Sequence, residues 1–248
     1  MQIQHQIIDR KKWRACLAIL LSTAAVGTAH VSGQGLIVTP NLIANGNFET
    51  GTLAGWTEED EAGGSGSWFI STPGAASPLS SFATANNPLG GNFYAVSDQT
   101  GPGSHVLLQS FTLTSAETLT LSYQMFVNSQ DGSYDTGTLD YSGAANEYGR
   151  VDLLTGTASA FSTAAGDIVQ TFYTGNDTGI NPNPYTSYSY NLSLAAGTYQ
   201  LRFAEVDNQN FFQMGVDNVS LAVVPEPATL ALAGLGGLSL LLFRRKQS

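Results

Sequence analysis

The chain has 248 residues, 42% of them hydrophobic, and 19 acids against 9 lysines and arginines, a formal charge of −10 at neutral pH. That acidity argues against a phosphate-gripping surface for nucleic acid, and a single cysteine, Cys16, excludes a disulfide framework or a multi-cysteine metal site. A chain this long buries enough apolar surface to fold without such staples.

The first element is an export signal over residues 1–29. Arg10, Lys11, Lys12 and Arg14 make a basic start, Ala15 to Val26 an apolar stretch, and the small residues Gly27 to Ala29 a cleavage site, with a cut nearer Gly33 as the alternative. Cys16 fills the apolar stretch, so the mature chain contains no cysteine.

Between the signal and the tail lies an ectodomain, residues 30–224. It keeps only two of the basic residues, Arg150 and Arg202, and all of the acids except Asp9 and Glu226, so its charge is about −15. Helical periodicity is missing, and alternation at period two recurs. Strands are predicted at Leu42 to Phe48, Ser67 to Ser71, Phe93 to Ser97, Val106 to Leu113, Thr118 to Val127, Tyr148 to Leu154, Ile168 to Thr174, Ser187 to Leu194, Tyr199 to Ala204 and Val219 to Ala222. Glu58 to Glu61 reads as a solvated acidic loop, and Asp131 to Asp135 as a turn without the glutamate that a calcium-binding EF-hand loop needs. Short strands between Gly-, Asn- and Ser-rich turns predict an all-β sandwich.

The last element, residues 225–248, has three parts. A Pro-Glu-Pro triplet (Pro225, Glu226, Pro227) disfavours helix and keeps the entry extended. An uncharged run over 228–243 predicts a membrane helix of roughly 24 Å at about 1.5 Å per residue. Arg244, Arg245 and Lys246 close the chain and mark the cytoplasmic side. Together these features resemble the PEP-CTERM sorting signal of Gram-negative bacteria that make exopolysaccharide. The resemblance implies an exosortase-type membrane protease as partner, an inner-membrane anchor before processing, and delivery to the cell surface or extracellular matrix afterwards.

The ectodomain opens with Asn-Gly-Asn-Phe-Glu (Asn45 to Glu49) followed by Gly55-Trp56, and closes with Asp-Asn-Val-Ser-Leu (Asp217 to Leu221). That pairing resembles the jelly-roll sandwiches of carbohydrate-binding modules and galactose-binding-like domains. The resemblance implies a structural Ca²⁺ held by Glu49 and Asp217; a carboxylate pair joining both chain ends is sound calcium chemistry, while local hydrogen bonding is the competing role. It also implies sugar binding through aromatic stacking, for which Tyr134, Tyr185 and Trp68 are the candidates, although core packing is the favoured position for Trp68 and Trp56.

Catalytic residues are not evident. No carboxylate pair stands out for glycoside hydrolysis, and His105 belongs to no recognisable triad. The sequence therefore predicts a non-enzymatic exported protein that binds glycan or exopolysaccharide. A structural or adhesive biofilm-matrix protein without a discrete ligand is the alternative, and a glycoside hydrolase a more distant one.

Overall fold

The computed structural model describes residues 41–81, 90–130, 134–176 and 181–225, all within Thr39–Ser248, one of the two units into which the chain divides. The expected signal peptide, the membrane helix at 228–243, and Glu226, Pro227, Arg244, Arg245 and Lys246 lie outside the described residues. Ten strands follow in order: β1 (Thr57–Asp60), β2 (Ser67–Ser71), β3 (Tyr94–Asp98), β4 (Gly103–Leu113), β5 (Glu117–Ser129), β6 (Glu147–Thr155), β7 (Ile168–Gly175), β8 (Thr186–Leu194), β9 (Gly197–Asp207) and β10 (Phe212–Val223).

They form two five-stranded antiparallel sheets, β1-β4-β9-β6-β7 and β2-β3-β10-β5-β8. Only β2–β3 and β6–β7 stay within one sheet; every other connection crosses to the opposite one, which is the jelly-roll form of sandwich. Because side chains alternate along a strand, each sheet turns one row inward. Leu119, Leu121, Tyr123, Met125 and Val127 of β5 meet Leu201 and Phe203 of β9 and Val151 and Leu153 of β6 in one apolar core.

Strand β10 needs a correction in phase to bury both of its halves. Met214 and Val216 point inward before Asp217, and Val219 and Leu221 after it, so the inward residues switch from even to odd numbers. A register shift between Asp217 and Ser220 supplies the extra residue. Asn218 takes the left-handed conformation there, with φ of 51°, a region asparagine tolerates better than most side chains.

The opening segment differs from its predicted strand at Leu42 to Phe48. It is a turn whose one ladder pair is the Asn41–Ala222 bridge, because Asn45 and Phe48 adopt φ of 49° and 54°. The turn still fastens the two ends of the domain. Leu42 N donates to Leu221 O at 2.8 Å, Val219 N to Gly46 O at 2.8 Å, and Leu221 N to Asn41 Oδ1 at 2.8 Å. Phe48 stacks on Trp56 at 5.6 Å in the core. The acidic stretch also differs from expectation: Glu58, Glu59 and Asp60 belong to β1, paired in register with β4. All four β1 side chains are exposed, so no apolar alternation marked it as a strand.

On the outer face of the first sheet, Arg150 and Arg202 both clamp Asp152, which is fully buried. Arg150 holds its carboxylate through Nε at 2.6 Å and Nη2 at 2.9 Å, and Arg202 Nη2 reaches it at 2.6 Å. Arg202 Nη1 also donates to Ala160 O and Ser162 O, which pins the segment after β6 onto the sheet. Burial works against the charge on Asp152, but the two guanidinium groups outweigh it and hold the carboxyl below its usual range.

Candidate functional site

The outer face of the second sheet has two zones. At one end Tyr94, Val96 and Phe126 form a small second core, covered by Phe69 and Tyr185. Tyr185 meets Phe126 edge-on at 5.1 Å and Tyr94 at 6.1 Å.

The remaining zone is flat in register and carries no charge. On β5, Thr118, Thr120, Ser122 and Gln124 face Ser193, Asn191, Ser189 and Ser187 of β8, while Ser220 and Ala222 of β10 flank Ser122 and Thr120. Hydrogen bonds tie the rows together: Thr120 Oγ1 to Asn191 Oδ1 at 3.0 Å, Gln124 Nε2 to Ser187 Oγ at 3.4 Å, and Asn218 Nδ2 to Gln124 Oε1 at 2.8 Å. The sequence marks this face by a period-two run of Ser, Thr, Asn and Gln without one lysine or acid. Hydroxyls and amides that both donate and accept are what a sugar's hydroxyls require.

At the bulge end of this face lie the two residues expected to hold a metal. Glu49 Oε1 accepts from the main-chain N of Asn92 at 2.7 Å and of Phe93 at 3.0 Å, and Oε2 from Asn92 Nδ2 at 3.2 Å. Its hydrogen bonds from Phe93 and Asn92 hold its carboxyl below the usual range. Gly91 has φ of 81°, and a Cβ there would stand 2.1 Å from Oε1, so a side chain at this position would displace the Glu49 carboxylate. Asp217 is buried, with Oδ1 accepting from Asn218 N at 2.7 Å. Burial pushes its carboxyl up to about 7, against the Asn218 bond and with added repulsion from Glu49. Among the described residues no third histidine or acid joins them, so further oxygens for a cation would come from main-chain carbonyls and amides. Asn45 Oδ1, in the same opening turn, is buried without a partner.

The aromatic candidates separate. Trp68 is 2% exposed and belongs to the main core, so its ring has no open face for stacking on a sugar; this corrects the expectation. Tyr185 is half-buried by its aromatic neighbours, with its hydroxyl buried and unpartnered. Tyr134 is 40% exposed and bridges Glu147 through the main chain. The three do not share one surface patch.

The end of the sandwich built from β3, β6 and β9 holds a feature that the strand prediction stopped short of. Tyr199, Leu201 and Phe203 point inward on β9, and the next inward positions are Glu205 and Asp207. Glu205 is fully buried; Ser97 Oγ donates to its Oε2 at 2.5 Å, and its Oε1 has no partner. Burial drives its carboxyl well above the usual range, reinforced by Asp207, Asp98 and Glu147. Opposite it in β4, His105 is also buried, with Nδ1 2.8 Å from Asp60 Oδ1 and Nε2 2.8 Å from Ser65 O.

A family model described as the PEP-CTERM protein-sorting motif matches residues 223–246. No curated protein matches the chain. Among solved structures, TmCBM61 in complex with beta-1,4-galactotriose is 13% identical, with 75% of this chain and 100% of that one covered, at a TM-score of 0.47. The K3 cleaved adhesin domain of Lys-gingipain from Porphyromonas gingivalis w83 is 19% identical over 73% and 98% of the two chains, at 0.42. The CBM22-1 xylan-binding domain from Paenibacillus barcinonensis Xyn10C is 13% identical over 76% and 97%, also at 0.42. The likeness to these proteins is one of sandwich architecture alone. The chain therefore carries a PEP-CTERM sorting motif directly behind a jelly-roll sandwich, and that motif implies export, C-terminal membrane anchoring, and processing by an exosortase, a membrane protease.

Proposed function

We propose that the protein is an exported, non-catalytic binder of neutral polysaccharide that works at the cell surface or in the extracellular matrix. The observation that carries this reading is the uncharged outer face of β5 and β8, continued beyond the bulge by Ser220 and Ala222 of β10, in a domain of about −15. An acidic glycan meets repulsion from the rest of the surface, whereas a neutral one finds alternating donors and acceptors. A single neutral hydrogen bond contributes only about 0.5–1.5 kcal/mol net, so useful affinity needs many of them, and an extended chain laid along the strands suits the face better than one sugar. Tyr185 borders the face, and Tyr134 offers its exposed ring on a separate patch beside Glu147. Calcium held by Glu49 and Asp217 would fasten the opening turn to β10 beside this face, as a structural ion.

Affinity electrophoresis of the full chain in detergent, through gels containing neutral or acidic polysaccharides, tests the proposal. Retardation is expected with at least one neutral polysaccharide. The double substitution Ser122→Ala with Asn191→Ala is expected to weaken it about tenfold, roughly the loss of one to two neutral hydrogen bonds. Retardation by acidic polysaccharides only, or neutral binding untouched by the double substitution, would overturn it.

A further inference from the structure

The sandwich has four sheet edges, and three are blunted in ways that discourage pairing with another chain. β1 is short and carries Glu58, Glu59 and Asp60, all exposed. β2 has only five residues. β7 pairs with β6 through two register shifts, and such bulges spoil an edge as a template. One of them frees the Phe172 carbonyl, which is taken by Tyr190 Oη at 2.8 Å.

The fourth edge, β8, has none of these protections. It runs for nine residues, TSYSYNLSL, with no charge, proline or glycine. It pairs with β5 in unbroken register from Thr186↔Met125 to Leu194↔Glu117, and no described strand lies on its other side. A regular uncharged edge of this kind presents its outward N–H and C=O groups as a pairing template.

We infer that β8 is a homotypic docking edge, where β8 of a second copy pairs antiparallel to join two five-stranded sheets into one of ten strands. The occupant follows from charge and from pattern. Two domains of about −15 repel each other over most of their surfaces, and the β8 side is where the approaching strand and its β5 neighbour present no charge on the outer face. A two-fold axis through Tyr190 would place Ser189 against Asn191 and Ser187 against Ser193 on the outer face. On the inner face it would place Tyr188 against Leu192 and Tyr190 against Tyr190. Polar thus meets polar and apolar meets apolar, the self-complementarity that an isologous contact demands.

Sedimentation and amide hydrogen exchange of the full chain in detergent, from low micromolar to near-millimolar concentration, test the inference. Association is expected with concentration, together with about tenfold slower exchange confined to β8 amides. Ser189→Asp, which sets each new carboxylate beside Asn191 of the other copy and diagonally across the axis from its like-charged mate, should abolish both effects, and Gln170→Asp on the bulged β7 edge should leave both intact. A synthetic peptide of residues 186–194 should compete with association of the unsubstituted chain, a readout independent of whether any variant folds. A chain whose β8 exchange is the same at all concentrations overturns the inference. So does association that survives both Ser189→Asp and the peptide, or β8 protection that appears only when a different protein is added.

Discussion

Asp152 carries a disproportionate share of the domain's electrostatic order, because both arginines of the described residues are committed to it. Removing it would strand two buried guanidinium groups. Breaking a buried ion pair by deleting one partner costs about 3–5 kcal/mol, and Asp152→Ala should cost at least the lower figure in chemical denaturation. The segment held by Arg202 through Ala160 O and Ser162 O should also become protease-sensitive. Glu205 works in the opposite sense. Its carboxyl is raised in the folded state, so the fold favours the protonated form. The resulting stabilisation is complete below the ordinary carboxylate value near 4.5, and is lost as pH climbs toward and through the folded value. Above the ordinary carboxylate range, where Asp152 and Glu49 are already ionised, melting temperature should therefore fall as pH rises, and Glu205→Gln should shallow that slope, other buried acids keeping part of it; an unchanged slope in calorimetry would remove Glu205 from the account. For Glu49 and Asp217 the test is the ion itself. Adding Ca²⁺ should raise the melting temperature and a chelator should lower it. Glu49→Gln should erase the difference, whereas two carboxylates engaged only in local hydrogen bonds would show no response.

The contact between the opening turn and β10 depends on backbone proximity. A Cβ on Gly46 would lie 2.0 Å from Val219 O, a main-chain atom already fixed by the strand, so neither side can yield cheaply. Gly46→Ala is expected to cost roughly 1–3 kcal/mol, in line with overpacking, with increased exchange at Leu42, Val219 and Leu221 in hydrogen-exchange measurements. These elements also show which structure the sequence makes legible. Ser67 to Ser71 was readable as β2 to the residue, and β5, β6, β7 and β8 within two residues at each end, β5 and β8 because they alternate apolar and polar side chains and β2, β6 and β7 because short apolar, β-branched or aromatic runs stand between turn-rich stretches. β1 was not, since a strand with every side chain in water leaves no alternation to detect. The opening turn was misread for a different reason: its apolar residues, Ile43 and Phe48, do enter the core, but through left-handed residues rather than through a pleat. For the site, Glu49 and Asp217 were visible as the ends of two motifs, and the structure shows each carboxylate holding neighbouring main-chain N–H groups. Trp68, a sugar-stacking candidate for which core packing was the favoured position, lies in the core. The charge-free face depends on knowing that β5, β8 and β10 are neighbours, which strand patterns alone do not specify.

On the scale of the whole molecule, folding and sorting meet at one point in the chain. The sorting-motif match begins at residue 223, which is also the last residue of β10, and Val224 N still donates to Thr118 O at 2.8 Å. The ectodomain therefore uses main-chain groups up to the residue before Pro225, and a protease that cut earlier would remove sheet hydrogen bonds from a strand at the centre of its sheet. A cut at Pro225 or beyond leaves the fold whole, since proline at that position offers no N–H to a ladder. The processed protein is thus expected to end at Val224 or beyond, and intact-mass spectrometry of material recovered outside the cells measures this directly. Replacing Pro225, Glu226 and Pro227 together by alanine should leave the chain at its unprocessed mass in the membrane fraction, with the ectodomain's melting temperature unchanged. A processed form ending before Val223 yet melting at the same temperature would show that the end of β10 is dispensable, and would separate the sorting step from the fold that this junction binds together.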